Sequence, residues 1–319
     1  MSRLYKDKSL WLHGFVNLRK PCGMTSSDAV CIVRGALSAA VGGRQKAGHL
    51  GTLDPLAEGV LPIALGNAAK LFDYLAFKRK KYLAEFRFGC TTDTLDRGGE
   101  ITESGGRVPD ESEIVEAAQR LTGEIMQIPP AYSAKSVNGR RAYKYAREGE
   151  IVNLPAQQVT VYAFNPTGRT GADSYSFEIE CGGGTYIRAL ARDMGEMLGT
   201  HAYMTVLTRV ASGVFGIENA VSADEFRSDP LKYVLPIGYA LDAFPECTLD
   251  ETTAFRALNG APVCVRAADM RVKNAGAGAY GQKTLAAAVY GAHGELLGIA
   301  SAERTDDESK VMLKLKTRL

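Results

Sequence analysis

The residues with the clearest capacity for chemistry lie in the stretch 48–59, GHLGTLDPLAEG. Asp54 and Glu58 are the only carboxylates between positions 29 and 72, and the apolar run 60–65 follows them. A carboxylate in apolar surroundings is costly to bury unless a partner holds it or a reaction uses it. An Asp-Pro pair is also an ordinary turn or helix start, because Asp accepts free backbone N–H groups and Pro fits the first helical position. A catalytic carboxylate and a capping residue therefore both remain open for Asp54.

A second interpretation uses both acids. Asp54 and Glu58 are four positions apart and could share one helix face, and paired carboxylates are the machinery of glycoside hydrolases. Nothing else in the sequence indicates a general acid, so a glycosidase-type hydrolase is the weaker hypothesis.

Arg188 is the cation that most needs an explanation. The strand pattern of residues 175–181 runs through Gly182-Gly183-Gly184-Thr185 into a predicted helix, and Arg188 lies in its first turn. The helix macrodipole disfavours a cation there, so Arg188 requires an anionic partner. A surface ion pair with a nearby acid would satisfy this requirement equally well. The glycine-rich turn lacks the spacing of a nucleotide-binding loop.

The other elements are predicted from periodicity and capping signals. Residues 81–88 alternate in polarity as a half-buried strand with Tyr82 at its entrance, where a tyrosine is more often a core residue than a catalyst. The other predicted elements are a strand at 14–18, a helix at 28–39 capped by Ser26 or Ser27, a strand at 60–65, a helix after Gly66-Asn67, helices opened by the capping boxes Asp110/Glu113 and Ser222/Glu225, and a strand at 202–210.

Composition and charge narrow the class of protein. Of 319 residues, 45% are hydrophobic and 23% are charged, which is typical of a globular, enzyme-sized chain. The net charge is only +2, but the basic residues concentrate in the N-terminal half. Six scattered cysteines and four histidines form no zinc-site pattern, and no segment resembles a signal peptide or a membrane span. We therefore predict a cytoplasmic protein with unpaired thiols.

The segment 138–147 interleaves basic residues with tyrosines. Positive charge attracts phosphate and tyrosine rings stack on bases, so this segment suits an RNA contact. A solvated amphipathic helix explains the same pattern equally well.

The C-terminal residues 248–319 form a different pattern. One short helix ending near Leu258 precedes three apolar runs separated by glycine-rich turns, at 285–290, 296–300 and 311–315. The pattern predicts a small β-barrel-like module, with a domain boundary near Pro245.

Six segments, taken together and in order, resemble the bacterial tRNA pseudouridine synthase B (TruB) family. They are Lys20-Pro21-x-Gly23-x-Thr25-Ser26, Gly48-His49-x-Gly51-x-Leu53-Asp54-Pro55-x-Ala57-x-Gly59, Lys81-Tyr82, Thr91-Thr92-Asp93-Thr94-x-Asp96-x-x-Gly99, Gln127-x-Pro129-Pro130-x-Tyr132-Ser133-Ala134 and Gly184-Thr185-Tyr186-Ile187-Arg188. Each is weak alone, but the ordered set over residues 14–245 is specific. Residues 250–319 resemble the appended PUA module of that family by position and pattern.

The resemblance implies an α+β fold: a catalytic domain over residues 1–245 built on a mostly antiparallel sheet, and a small β-rich PUA-like RNA-binding domain over 246–319. The implied reaction isomerises uridine to pseudouridine at position 55 in the T loop of tRNA. It implies no cofactor, no metal, no protein partner and no membrane, and a monomer that binds the T arm of tRNA. Residues 135–150 correspond to the RNA-gripping loop of enzymes that recognise tRNA without a guide RNA.

The resemblance also implies roles for individual residues. Asp54 would be the catalytic carboxylate, Arg188 would pair with it, and Tyr82 would stack on the target base. The residues expected to bind substrate are His49, Lys20, Tyr186, Lys70, Lys144 and Arg147. Lys70 follows Gly66-Asn67-Ala68-Ala69, where the family usually has Thr before the lysine.

A protein that binds or folds tRNA without essential catalysis is the alternative. The basic N-terminal half and the C-terminal module fit this alternative too. Loss of activity on replacing Asp54, with RNA binding retained, would separate the two.

Overall fold

The structure, a computed structural model, describes residues 10–75, 79–133, 135–137, 139–150, 153–242, 244–271 and 284–319. The strands are β1 (Gly14–Lys20), β2 (Ala47–His49), β3 (Glu58–Leu65), β4 (Lys80–Phe88), β5 (Cys90–Thr92), β6 (Ile101–Ser104), β7 (Gly123–Gln127), β8 (Ser136–Val137), β9 (Arg140–Arg141), β10 (Gln157–Arg169), β11 (Ser174–Cys181), β12 (Ala202–Ser212), β13 (Phe215–Gly216), β14 (Glu246–Thr248), β15 (Val263–Arg266), β16 (Thr284–Tyr290), β17 (Leu296–Arg304) and β18 (Lys310–Arg318). The α-helices are α1 (Ser26–Val41), α2 (Phe72–Leu75), α3 (Glu111–Arg120), α4 (Ala142–Arg147), α5 (Ile187–Met197), α6 (Ala223–Ser228) and α7 (Glu251–Leu258). The 3₁₀ helices are Gly66–Leu71, Ile217–Asn219, Ile237–Leu241 and Ala267–Asp269.

The larger sheet runs in the order β1-β3-β12-β4-β11-β10-β7, with β2 beside β3 and β13 beside β12. Its pairings are antiparallel except for the short parallel contact between β3 and β12. Strand β4 lies between β12 and β11, and its side chains point alternately into the core and outward. Tyr82, Phe86 and Phe88 are buried, whereas Leu83 and Arg87 face outward, as the period of two predicts. The predicted mixed fold with a mostly antiparallel sheet is confirmed.

Helices α1, α3 and α5 cover the inward face of this sheet. Val33 and Leu37 of α1, Ile114 of α3, and Leu190 and Met194 of α5 enter one buried cluster with the strand residues. The capping boxes predicted at Asp110/Glu113 and Ser222/Glu225 are confirmed.

The cap of α1 differs from the prediction. The N-cap is Thr25, which forms a capping box with Asp28, and not Ser26 or Ser27. Ser26 begins the helix instead, and its side chain is used for a long-range contact.

The C-terminal β-rich region is a second sheet of order β14-β16-β17-β18-β15, accompanied by α7. The predicted runs are confirmed as strands, and each extends beyond the predicted bounds. Side chains of this sheet, including Ile299, share a hydrophobic cluster with Phe15 and Phe215 of the larger sheet. Among the described residues, no helix is both long and apolar enough to cross a membrane.

Candidate active site

Asp54 lies in the loop between β2 and β3. The Ala57 N–H donates to the Asp54 carbonyl at 3.1 Å, so residues 54–57 form a β-turn with Pro55 at its second position. The interpretation of Asp-Pro as a turn is therefore correct, and the interpretation as a helix start is wrong.

The loop is held by distant parts of the chain. The Ser26 hydroxyl donates to the Leu53 carbonyl at 2.8 Å and accepts from the Leu53 N–H at 2.9 Å. The Gly23 N–H donates to the Pro55 carbonyl at 2.8 Å. Because the peptide groups on both sides of Asp54 are bound, the direction of its carboxylate is determined by the fold.

Arg188 is the partner of this carboxylate. Its Nε lies 2.8 Å from Oδ2 of Asp54; the Arg188 side chain is 5% exposed and that of Asp54 is 32% exposed. The other two guanidinium nitrogens donate to the carbonyls of Thr94 at 2.8 Å and Tyr132 at 2.9 Å. The charge that the helix macrodipole disfavours is thus balanced by an acid 134 positions earlier in the chain.

Asp96 is a second carboxylate at this site, and the sequence pattern of the 91–99 motif did not predict a role for it. Its Oδ2 lies 3.8 Å from Nε of Arg188. Its Oδ1 accepts hydrogen bonds from the Thr94 hydroxyl at 2.8 Å and the Gly98 N–H at 2.9 Å. Arg188 is therefore placed between two acids. The 91–99 motif was the available signal, but its turn chemistry obscured the role of Asp96.

A cavity of about 300 Å³ opens beside Asp54, a size found for small-ligand sites. Aromatic and apolar side chains form much of its wall, with Asp54, Lys80 and Arg188 as the charged groups. The lining residues are Gly51, Thr52, Leu53, Asp54, Phe72, Lys80, Tyr82, Ser133, Gly184, Thr185, Tyr186, Ile187, Arg188 and Leu207.

The two tyrosines of the cavity are neutral at physiological pH. Burial raises the pKa of Tyr82 to about 12. Burial also raises the pKa of Tyr186 above its ordinary value. The Gln127 side chain holds the backbone of Tyr186 on both sides. It accepts from the Tyr186 N–H at 2.8 Å and donates to the Tyr186 carbonyl at 3.2 Å. Both rings are thus positioned as neutral aromatic surfaces.

Arg209 on β12 lies directly behind the cavity. The sequence did not predict a role for this residue. It is 1% exposed and donates to the carbonyls of Val60 at 2.7 Å and Gly51 at 3.0 Å. Its third guanidinium nitrogen donates to the Thr52 carbonyl at 3.4 Å, and its charge lies near the Tyr82 hydroxyl. A single arginine in an apolar strand carries no local signal of such a role, because its partners come from other strands and loops.

His49 ends β2 and is half-buried, but it is not one of the residues that line the cavity. Burial and the nearby Arg209 lower the pKa of His49, so its ring is neutral at physiological pH.

Lys20, which the resemblance places among the substrate-binding residues, does not line the cavity. Its ammonium group is buried and donates to the carbonyls of Pro21 at 2.9 Å, Met24 at 2.7 Å and Pro55 at 3.3 Å. Burial lowers its pKa to about 8. Lys20 thus joins two loops, because its ammonium group binds carbonyls of both. Pro21 and Met24 lie in the loop after β1, and Pro55 lies in the Asp54 loop.

Lys70 is also placed away from the cavity. Its Nζ donates to the Arg318 carbonyl at 2.7 Å, because the 3₁₀ helix Gly66–Leu71 packs near the end of β18. This exposed lysine therefore joins the 3₁₀ helix to the last strand of the C-terminal sheet.

The remaining predicted residues lie on the segment 135–150, where β8 and β9 form a hairpin followed by α4. Lys144 is exposed on α4. Asn138 and the side chain of Arg147 lie outside the described part of the chain. Lys135 connects this segment to the site, since it donates to Gln157 at 2.7 Å, and Gln157 donates to the Gly184 carbonyl at 2.8 Å.

Glu58 does not join Asp54. It is the first residue of β3 and accepts from the Thr208 hydroxyl at 3.2 Å. The two acids therefore share no helix face, and Glu58 is not among the residues that line the cavity.

Comparison with known proteins gives the family. Residues 40–187 match the TruB family pseudouridylate synthase N-terminal domain. The tRNA pseudouridine synthase B of Clostridium kluyveri is 40% identical over 250 residues, covering 78% of this chain and 84% of that protein. The tRNA pseudouridine synthase B of Cereibacter sphaeroides is 38% identical over 301 residues, covering 93% and 97%.

A solved structure shares the fold. The crystal structure of a Cbf5-Nop10-Gar1 complex contains a chain that matches with a TM-score of 0.70 and 25% identity, covering 96% of this chain and 84% of that one. The identity shared with the two bacterial synthases, over most of the length of each, shows that the chain belongs to the TruB family and is a tRNA pseudouridine synthase, which isomerises uridine in tRNA.

Proposed function

We propose that the protein converts the uridine at position 55 of the tRNA T loop to pseudouridine, with Asp54 as its catalytic carboxylate. The observation that carries this proposal is the pair of Asp54 and Arg188, joined at 2.8 Å in the wall of a nucleotide-sized cavity. An acid in a site that must accept a phosphate backbone would repel its substrate unless the reaction used it.

The reaction breaks the N1–C1′ bond, turns the uracil and joins C5 to C1′, with no net addition of water. A carboxylate suits this chemistry, because it can attack covalently or stabilise positive charge on the sugar while the base is detached. Arg188 holds the Asp54 carboxylate in position through their 2.8 Å hydrogen bond and so supports either role. The partial exposure of Asp54 leaves it accessible to a substrate.

The target uridine must leave its loop to reach Asp54. Stacking against an aromatic ring offsets the stacking that the base loses. Tyr82 and Tyr186 provide neutral rings in the cavity and are proposed to bind the base. His49 has a planar neutral ring outside the cavity wall, which suits stacking in the space that the uridine vacates.

We assign recognition of the T arm to two further parts of the chain. Residues 135–150 carry the exposed basic residues Arg141 and Lys144 beside the half-buried Tyr143 and Tyr145, and are proposed as the RNA-gripping loop together with Arg147. Residues 246–319 are proposed as a PUA-like RNA-binding domain, and residues 1–245 as the catalytic domain. In this proposal the protein is a monomer that grips tRNA directly and therefore needs no guide RNA.

The test is conversion of an unmodified tRNA transcript, with pseudouridine mapped by position. We expect wild-type protein to modify position 55, and Asp54→Asn to lose conversion while RNA affinity is kept. Glu58→Gln is the matched control, since it removes the neighbouring acid outside the cavity, and it should retain activity. Conversion by Asp54→Asn would refute the catalytic role of Asp54, and modification at another position would refute the T-loop assignment. Absence of conversion by the wild-type protein would favour the tRNA-folding alternative.

A further inference from the structure

The cavity contains two cationic side chains among its described lining residues, Arg188 and Lys80. Each nitrogen of the Arg188 guanidinium already has a partner in Asp54, Thr94 or Tyr132. The position of Arg188 is therefore fully determined by its partners. Lys80 lines the same cavity but takes no part in the steps assigned to Asp54, Tyr82 and Tyr186.

Lys80 shares the inward face of β4 with Tyr82, two residues away, and is 9% exposed. A Cβ atom built on Gly51 would lie 3.5 Å from Nζ of Lys80 and 3.7 Å from Nη1 of Arg209. Both cations therefore lie beside the loop that carries Asp54, on the side of the Tyr82 ring.

The charged and titratable groups around Lys80 come from four elements. They are Arg209 on β12, Cys181 opposite Lys80 on β11, Tyr82 on the same strand, and Asp54 on the loop that lines the same cavity. Burial raises the pKa of Cys181 to about 11 and that of Tyr82 to about 12, so both stay neutral. The cavity floor is therefore a positively charged, poorly hydrated region.

The proposed reaction places negative charge on the base. When the N1–C1′ bond breaks, its electron pair stays on N1 and the charge spreads to O2 and O4 of the detached uracil. After the ring turns, an electron pair at C5 forms the C5–C1′ bond, the C5 proton leaves to solvent and N1 takes one up. Atoms and charge therefore balance without a further reactant.

We propose that Lys80 is a catalytic residue whose ammonium group donates a hydrogen bond to a carbonyl oxygen of the departing uracil and stabilises its negative charge. This inference rests on the proposed function of the Asp54 cavity. A donor preorganised in a poorly hydrated site acts most strongly where charge develops in the transition state. Arg209 adds a second positive charge behind the cavity, which favours the anionic base in the same way.

Single-turnover conversion of tRNA transcript tests the proposal, with enzyme in excess. We expect Lys80→Met to lower the rate by about 10²–10³-fold, the usual effect of removing one such donor. Lys80→Arg keeps the charge and should restore part of the rate. Lys81→Met is the matched control, because Lys81 faces outward and pairs with Glu178 at 2.8 Å, and it should leave the rate unchanged.

The pH profile of the wild-type protein is an independent readout. Burial and Arg209 lower the pKa of Lys80 to about 8. Because the protonated form is required, the wild-type rate should fall as pH rises through about 8. The fall should be smaller in Lys80→Arg, where Lys20 still loses its proton in this range. A wild-type rate that stays level or rises across this range would overturn the proposal, and this measurement does not depend on the folding of any variant.

Other outcomes separate this inference from the proposed function. If Lys80→Met weakens tRNA binding but leaves the single-turnover rate unchanged, Lys80 is a backbone contact and the proposal is wrong. If Asp54→Asn is inactive while Lys80→Met is fully active, only the role of Lys80 is refuted. If Asp54→Asn retains the rate, the proposed site itself is wrong. Thermal unfolding of each variant shows whether a lost rate reflects a lost fold.

Discussion

Arg188 shows why one residue type is required at the centre of this site. Its planar fork reaches Asp54, the Thr94 carbonyl and the Tyr132 carbonyl at the same time, at 2.8–2.9 Å. A lysine carries the same charge on a single nitrogen and cannot reproduce this geometry. The guanidinium thus holds three chain segments together around the Asp54 carboxylate.

Arg188→Lys should therefore lower the single-turnover rate although the positive charge remains. A hydrogen bond that involves a charged group contributes about 1.5–3 kcal/mol, so losing one or more predicts a loss of at least about 10-fold. RNA affinity should change little. The control is Arg192→Lys on the same helix, because Arg192 pairs with the adjacent Asp193 on the surface side. Equal rates for Arg188→Lys and wild type would show that charge alone is sufficient.

At the scale of elements, the site depends on the contact between the Asp54 loop and β12. Gly59 opposes Arg209 in the parallel pairing of β3 with β12, and a Cβ on Gly59 would lie within 2.2 Å of the Arg209 carbonyl. Its φ of +103° also favours glycine. The backbone approaches closely here, which lets Arg209 reach back to the Gly51 carbonyl.

The segment 135–150 is the element whose role is tested by RNA binding. Lys144→Ala should weaken tRNA binding and reduce the slope of log affinity against log salt by about 1, because one phosphate contact is lost. Arg147→Ala should act in the same direction. Lys81→Ala on the outward face of β4 is the matched control and should leave the slope unchanged. Unchanged affinity of Lys144→Ala at every salt concentration would remove Lys144 from the contact surface.

At the scale of the whole molecule, the two sheets share a hydrophobic cluster. Ile299 of β17 is fully buried in this cluster with Phe15 and Phe215, and Lys70 donates to the Arg318 carbonyl nearby. Shared burial couples the stability of the C-terminal sheet to that of the larger one. The C-terminal region is therefore part of the folded unit and not only an attached binding module.

Ile299→Ala should lower the free energy of unfolding of the whole protein by about 2–5 kcal/mol, because it leaves a cavity in this cluster. Unfolding should remain a single transition in thermal and chemical denaturation. Phe255→Ala is the control, because Phe255 is 70% exposed on α7 and its removal should change stability little. Two separate transitions in the wild-type protein would contradict the coupling.

The sequence alone determined the family and several of the elements. Alternation along residues 81–88 predicted the strand that carries Tyr82, the capping boxes predicted the starts of α3 and α6, and the ordered motifs predicted the reaction class. These signals are local, because periodicity records which face is buried and capping records where free N–H groups begin. The position of Arg188 near a helix start also indicated that its charge needed an anionic partner.

Only the tertiary structure decided which side chains surround Asp54. It brought Asp96, Arg209 and Lys80 to the site from three separate segments, and it turned Lys20 and Lys70 away from the cavity toward backbone carbonyls. Local patterns do not encode these contacts, because a buried cation is satisfied by whichever oxygen the fold presents, over any separation along the chain.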